Sequence, residues 1–296
     1  MHWGKQKYFT KGAKFLMTEV PSLEKVTIWW KTLSQFYKYR NFDAVFLNAG
    51  YGEYRISPKF MRNGIDYANP DLIAWTSEGK WMLLELTTNP HPDNKDFQLG
   101  KYEKITPLDV GNSIGPTVQE DPEILLISTH SFLSGYCHIV FENQCEISNI
   151  ERLRDPRLIE GVNAMEAKDF SRPPRLFFSV VPEMNHYELK CGIVASVRKL
   201  FTQSESSMSA EDMAEECLDS ISNYIEIDEK KKIVKDIDLV MGQLTKKYLG
   251  KYLVCTDGKY RAKTEIKSQK SREAISKGIK DWMNDTKSSQ TVLDSF

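Results

Sequence analysis

From residue 22 onward, apolar side chains recur at helical spacing: Val26, Trp29, Trp30, Leu33, Phe36 and Tyr37. This is the stripe of a helix with one buried face, and it predicts a helix over 22–39. Ser22 is placed to cap it and Glu24 falls in its first turn, where the helix dipole favours an acid. Short apolar runs at 44–47 and 54–56 predict strands. Two further runs, 72–75 and 81–86, flank the polar turn Ser77-Glu78-Gly79-Lys80 and predict a hairpin. A helix follows, capped by Asp93 or Asn94 and running through Ile105, where Pro107 ends it. A Gly/Pro-containing loop is expected over 106–121. The stretch EILLIS at 123–128 holds a continuous apolar run, Ile124 to Ile127, the pattern of a strand covered on both faces. A helical pattern over 148–165 is broken at Pro156. The run LFFSVV at 176–181 predicts another buried strand, and 185–201 predicts a helix. Alternating helices and strands make the first two hundred residues an α/β chain.

The Ser-rich stretch TQSESSMS at 202–209 interrupts this alternation and reads as a linker. It divides the chain into 1–203, 204–283 and a flexible tail, 284–296. The net charge of −1 hides a local asymmetry. Residues 204–238 carry 11 acids and 4 lysines, a net of −7, whereas 239–296 carry 12 Lys/Arg and 6 acids, a net of +6. Ile237, Val240, Leu244 and Leu249 predict a helix over 236–249. Asp257-Gly258, a strong two-residue turn signal, predicts a hairpin from 252 to 263. A helix followed by a basic hairpin is the pattern of a winged helix-turn-helix, with Ser209 as a cap for its first helix. Lys246, Lys247, Lys251, Lys259, Arg261 and Lys263 are its candidate phosphate contacts, since neutralised phosphates dominate non-specific affinity for DNA. Protein binding is the alternative use of such a module.

Length and composition fit a soluble globular protein: 296 residues, 41% hydrophobic and 27% charged. The five cysteines, at 137, 145, 191, 217 and 255, form no zinc-spaced set and suit a reducing compartment. The first fifteen residues are too polar for a signal peptide, and no apolar run has the length of a membrane span. The expectation is a cytoplasmic protein with no membrane partner. His2, His91, His130, His138 and His186 are scattered without a metal-binding pair. A Gly-rich phosphate loop and a G-x-S-x-G elbow are both missing.

The candidate chemistry lies in the hairpin. Asp71 opens its first strand and Glu85 stands inside the second. Side chains alternate along a strand, so Glu85 shares a face with Thr87, and pairing through the 77–80 turn brings Asp71 and Glu85 to one end. Two close carboxylates repel unless a cation lies between them. Magnesium accepts one or two carboxylates together with waters and phosphate oxygens. On the next helix Gln98, Lys101 and Tyr102 are neighbours at i, i+3 and i+4.

The series Pro70-Asp71, Glu85-Leu86-Thr87 and Gln98-x-x-x-Tyr102 resembles the PD-(D/E)xK nuclease superfamily, in particular its RecB-like branch with a QxxxY motif. The resemblance covers roughly residues 20–130. It implies a restriction-endonuclease-like central mixed sheet flanked by helices, here with a small C-terminal winged-helix domain. It further implies a magnesium-dependent DNA endonuclease, with manganese able to substitute. Asp71 and Glu85 would hold the metal, with the Leu86 carbonyl as third ligand, and Gln98 and Tyr102 would position the helix and the DNA strand. Restriction, phage defence and transposon end cleavage are the contexts such a layout suggests, with a homodimer or a larger nucleoprotein or defence complex as partner. The chain departs from the family at Thr87, where a lysine is usual. Lys101 is the preferred replacement, with Lys95 a rival one turn earlier and Lys104 pointing further away. Glu24 is either the extra acid that many members carry on the first helix or a solvated first-turn residue. Without a replacement lysine, the alternative is a degenerate nuclease fold that binds DNA or assembles a complex.

Overall fold

The computed structural model describes residues 23–38, 43–62, 65–92, 94–142, 144–168, 170, 178–203, 206–263 and 268–285. Helix α1 (Glu24–Leu33) tightens into a 3₁₀ turn (Ser34–Phe36) earlier than the apolar stripe suggests. The Lys31 carbonyl, the natural acceptor for the Gln35 N–H, instead accepts from Ser34 Oγ at 2.8 Å and Gln35 Nε2 at 3.1 Å. Such local side-chain bonds compete with the helical ladder. The run at 44–47 is not a strand but a single helical turn, α2 (Val45–Asn48). Periodicity cannot separate the two states over four apolar residues, and a bond from Asn48 Nδ2 to Asp43 Oδ1 closes this turn.

Strand β1 (Tyr51–Ile56) is followed by a small hairpin, β2 (Phe60–Arg62) and β3 (Ile65–Ala68), that the hydrophobic pattern did not suggest. The expected hairpin is present as β4 (Leu72–Thr76) and β5 (Trp81–Thr87), with Leu72 opposite Leu84 and Trp75 opposite Trp81. Helix α3 (Lys95–Tyr102) comes next. Pro107 then begins a helix instead of closing a loop: α4 (Pro107–Ser113) has proline in its first turn and a reciprocal Thr106–Asp109 capping box. Strand β6 (Glu123–Ser128) is buried along its whole length, and β7 (Cys137–Phe141) and β8 (Cys145–Ser148) follow. Pro156 likewise opens α5 (Pro156–Met165), capped by Asp155. Of the run at 176–181, residues 176 and 177 lie outside the described residues and 178–181 form no strand. The N–H groups of Ser179 and Val180 instead donate to the Cys217 carbonyl.

Helix α6 (His186–Thr202) carries an Asn185–Glu188 capping box. Strand β9 (Ser207–Ser209) lies inside the stretch expected as a linker. Helix α7 (Ala210–Leu218), a 3₁₀ turn and α8 (Ile227–Gln243) follow, and α8 widens into a π-turn over Leu244–Tyr248. Strands β10 (Leu253–Thr256) and β11 (Lys259–Ala262) form the expected hairpin. Asp257 and Gly258 both have positive φ, 51° and 72°, as a tight primed turn requires. Helix α9 (Gln269–Asn284) completes the described chain.

Two compact units result. Of the described residues, one comprises those of 24–184 with 211–236, the other those of 185–210 with 237–285 and Leu23. They divide the chain differently from a cut at 203/204, since α6 belongs with the second and the segment after residue 210 returns to the first. The first unit is α/β. Its mixed six-stranded sheet has the order β1-β4-β5-β6-β7-β8, antiparallel from β1 to β5, parallel from β5 to β7 and antiparallel again at β8. Helix α1 packs on β5 and β6. Leu99 and Tyr102 of α3 and Val110 of α4 join a core with Ile73, Leu83 and Leu126 of the sheet. In the second unit β11 lies between β9 and β10, α6 packs on β11, and α9 packs on α6 and the π-turn. Among the described residues, no helix is long and apolar enough to cross a membrane.

Candidate functional site

Asp71 immediately precedes β4. Its backbone carbonyl accepts from the Ser57 N–H at 2.8 Å and its Oδ2 from the Leu86 N–H at 2.6 Å. The hairpin register therefore fixes both the main chain and the carboxylate, and it sets Asp71 beside Glu85. Glu85 is 4% exposed. A buried carboxylate needs partners, and α3 supplies them. Lys95 Nζ lies 2.5 Å from Glu85 Oε1, and Gln98 Nε2 donates to the same oxygen at 2.8 Å. The Tyr102 hydroxyl donates to Oε2 at 2.6 Å. Gln98 also links its neighbours: its Oε1 accepts from Lys95 at 3.2 Å and its Nε2 donates to the Tyr102 oxygen at 2.9 Å. All three residues lie on one side of α3, and Leu99 and Tyr102 anchor that helix in the core.

Asp71, Glu85, Gln98 and Tyr102 are thus gathered in one place, and Leu86 joins them through its N–H. Among the three lysines considered, Lys95 reaches the site. Lys101 instead places its ammonium 5.1 Å from the centre of the Phe97 ring. The Lys104 carbonyl serves as an acceptor for Arg62. Thr87 accepts from the Asn89 N–H at 3.2 Å, a role in the strand exit. Glu24 is half-exposed, with Thr129 Oγ1 at 2.8 Å and His130 Nε2 at 3.4 Å. Asp93 lies outside the described residues. Asn94 adopts a left-handed conformation at the start of α3 and makes no side-chain cap.

The electrostatics are those of a site short of positive charge. Burial pushes the Asp71 carboxyl well above the ordinary carboxylate range, and the negative Glu85 and Glu183 add to this. The Leu86 N–H and the Lys95 ammonium oppose it. Glu85 is also raised, mainly by burial, against the pull of Lys95 and Tyr102. Burial and the nearby Glu85 raise the Tyr102 hydroxyl, which stays a donor. Glu183 was not legible in the sequence as part of this field. It stands in a loop with positive φ, 59°, and its carbonyl accepts from Lys25. Among the described residues, no group of three or more His, Cys, Asp and Glu side chains converges as a metal cage. A two-carboxylate set still fits magnesium, which keeps several waters and takes few protein ligands. The raised Asp71 and Glu85 are the pair that a divalent cation would relieve.

A pH dependence follows. Unfolded carboxylates titrate near pH 4, whereas Asp71 and Glu85 titrate higher when folded. Within that window folding takes up protons, so these two groups lower stability as pH rises. Asp71→Asn is expected to gain in melting temperature relative to wild type from about pH 4 upward, with the gain vanishing in acid. Thermal melts of both metal-free proteins across pH test this; a difference independent of pH would refute it.

The basic residues of the second unit are exposed, but unequally engaged. Lys247 donates to Asp285 at 2.7 Å, and Lys263 Nζ lies 2.5 Å from the Gly250 carbonyl. Lys246 stands in the π-turn, and Lys251 follows it beside Tyr252. Lys259 and Arg261 share the outer face of β11, while Tyr260 points inward and donates to Asp238. In comparisons with family models, curated proteins and solved structures, nothing matches this chain.

Proposed function

We propose that the chain is a metal-dependent endonuclease of the PD-(D/E)xK type that cuts DNA. The observation that carries this reading is the clamp on Glu85. Two residues of a QxxxY motif and a lysine from the same helix hold one strand carboxylate beside a second at the mouth of the neighbouring strand. The mixed six-stranded sheet, with α1 and α3 packed against it, is compatible with the central mixed sheet flanked by helices that the resemblance implies.

Asp71, Glu85 and the Leu86 carbonyl would hold magnesium. When bound, the ion would supply Lewis acidity and a water of lowered pKa. Lys95 contributes a fixed positive charge next to the scissile phosphate, replacing the lysine absent at Thr87. Gln98 and Tyr102 keep Glu85 in one orientation. Incubating supercoiled plasmid with the protein in magnesium, with a chelator control, tests the activity. Uncut DNA in magnesium and manganese would refute it and favour a DNA-binding or assembly module, the reading to which Thr87 lends weight.

For the second unit we propose a winged-helix DNA-binding role. The sheet with β11 between β9 and β10, and the exposed basic face of β11, support this; α7 and the first part of α8 belong to the first unit. Lys259→Gln with Arg261→Gln is expected to lower the slope of log affinity against log salt by about one unit per lost contact. Fluorescence anisotropy with duplex DNA measures the slope, and an unchanged slope would point to a protein partner.

A further inference from the structure

Asp285 stands where a helix least favours an acid. It caps the C-terminal end of α9, whose carbonyls already carry partial negative charge. Cations of the second unit offset this. Asp285 Oδ2 accepts from Lys247 Nζ at 2.7 Å and from the Tyr248 hydroxyl. Lys190, only 1% exposed, donates to the Trp282 and Asp285 carbonyls, both at 3.0 Å. Burial pushes the Lys190 ammonium down, the Asp285 charge opposes this, and Lys247 adds to the push. The bonds from Lys247 and Tyr248 hold the Asp285 carboxyl down to about 2.

Two ammonium groups and a hydroxyl around one carboxylate are the donors that a phosphate would use. Lys247 and Tyr248 are consecutive in the π-turn Leu244–Tyr248, a widening often found at functional sites. The Lys247 side chain is 62% exposed, so an anion from solvent reaches it without crossing the core. The carboxylate belongs to the same unit and competes for that ammonium at a high effective concentration. We infer that the π-turn is a phosphate-binding site that the chain's own Asp285 occupies, so that Lys247 engages DNA only as this carboxylate gives way. This rests on the winged-helix reading of the second unit and deepens it, because an internal anion then sets the affinity for the DNA backbone.

Fluorescence anisotropy of the full chain with duplex DNA over a range of salt tests it. Asp285→Asn keeps the shape of the side chain and removes its charge. It is expected to bind about three- to tenfold tighter near 0.1 M salt and to steepen the slope of log affinity against log salt by about one unit, the effect of one added phosphate contact. Lys247→Gln should then cost several-fold more in the Asp285→Asn background than in wild type. Asp281→Asn, an exposed acid one turn earlier on α9, controls for net charge and should leave the slope as it is. An unchanged slope in folded Asp285→Asn would overturn the site, as would an equal cost of Lys247→Gln in both backgrounds. If Asp285→Asn does not fold, single variants decide: Lys247→Gln should cost less than Lys259→Gln, and an equal cost overturns the site. Should wild type and Asp285→Asn both fail to bind duplex, the winged-helix reading falls and inorganic phosphate alone decides the site. A melting temperature that rises with phosphate in Asp285→Asn but not in wild type would retain it, and no rise in either would overturn it.

Discussion

Lys95→Met is expected to reduce cutting by about a hundred- to a thousandfold, the usual cost of removing one fixed charge or donor that stabilises a transition state. Methionine keeps the length of the stem and loses only the ammonium. In the structure that ammonium sits 2.5 Å from Glu85 and 3.2 Å from Gln98. Its side chain is 19% exposed, so the charge is held in place more firmly than a surface lysine's. The loss should appear in the single-turnover rate with saturating DNA, because the charge acts on the phosphate as it reacts and contributes little to overall affinity. Lys104→Met, two residues past the motif and the end of α3, is the control and should cut like wild type. Lys95→Arg should restore part of the rate, since it returns the charge with a different shape. If Lys95→Met cuts at the wild-type rate, the charge on this helix does not serve the chemistry.

How this lysine escaped a firm assignment shows which parts of the site a sequence carries. Strand alternation brings Asp71 to Glu85 and helix spacing brings Gln98 to Tyr102; the resemblance, not the spacing, joins the two pairs. Lys95 and Lys101 were equivalent by that measure, each about 60° from Gln98. What separates them is the partner each finds: Lys95 bonds to Glu85 of β5 and to Gln98, whereas Lys101 lies over the Phe97 ring. The start of α3 decides this, and no pattern of helix or strand specifies it. Asn94 is left-handed there, outside the ordinary cap geometry. Glu183 was beyond reach because nothing local in its loop announces a distant target. The prolines misled twice in the same way. Pro107 and Pro156 were read as breaks, yet each opens a helix behind Thr106 or Asp155, where its missing N–H costs nothing. The β4–β5 and β10–β11 hairpins were the easiest elements, since Ser77–Lys80 and Asp257-Gly258 carry their own turn chemistry, whereas β2–β3 was missed.

Asp71→Ala and Glu85→Ala are each expected to abolish cutting, by on the order of a thousandfold or more, beyond the ten- to hundredfold typical of residues that merely support a metal ligand. Their effects on stability should differ in sign. Asp71 is disfavoured as an anion by burial and by Glu85 and Glu183, and its single strong bond is to the Leu86 N–H. Removing it relieves repulsion on Glu85, so the metal-free variant should melt at or above wild type at neutral pH. Glu85 is the acceptor for Lys95, Gln98 and Tyr102 together. Its removal leaves a largely buried ammonium without a counter-charge, a loss of about 3–5 kcal/mol when such a pair is fully buried and less here, where Lys95 keeps partial exposure. Glu85→Gln preserves an acceptor and the shape, and should recover much of the stability but none of the cutting. Calorimetric titration with magnesium separates metal binding from chemistry: wild type should release or absorb binding heat, and both alanine variants should show none. A folded Asp71→Ala protein that still binds magnesium and cuts plasmid would place the centre elsewhere in the chain. A Glu85→Ala protein that loses cutting only because it unfolds would be recognised by its melt, and Glu85→Gln then decides whether the carboxylate itself is required.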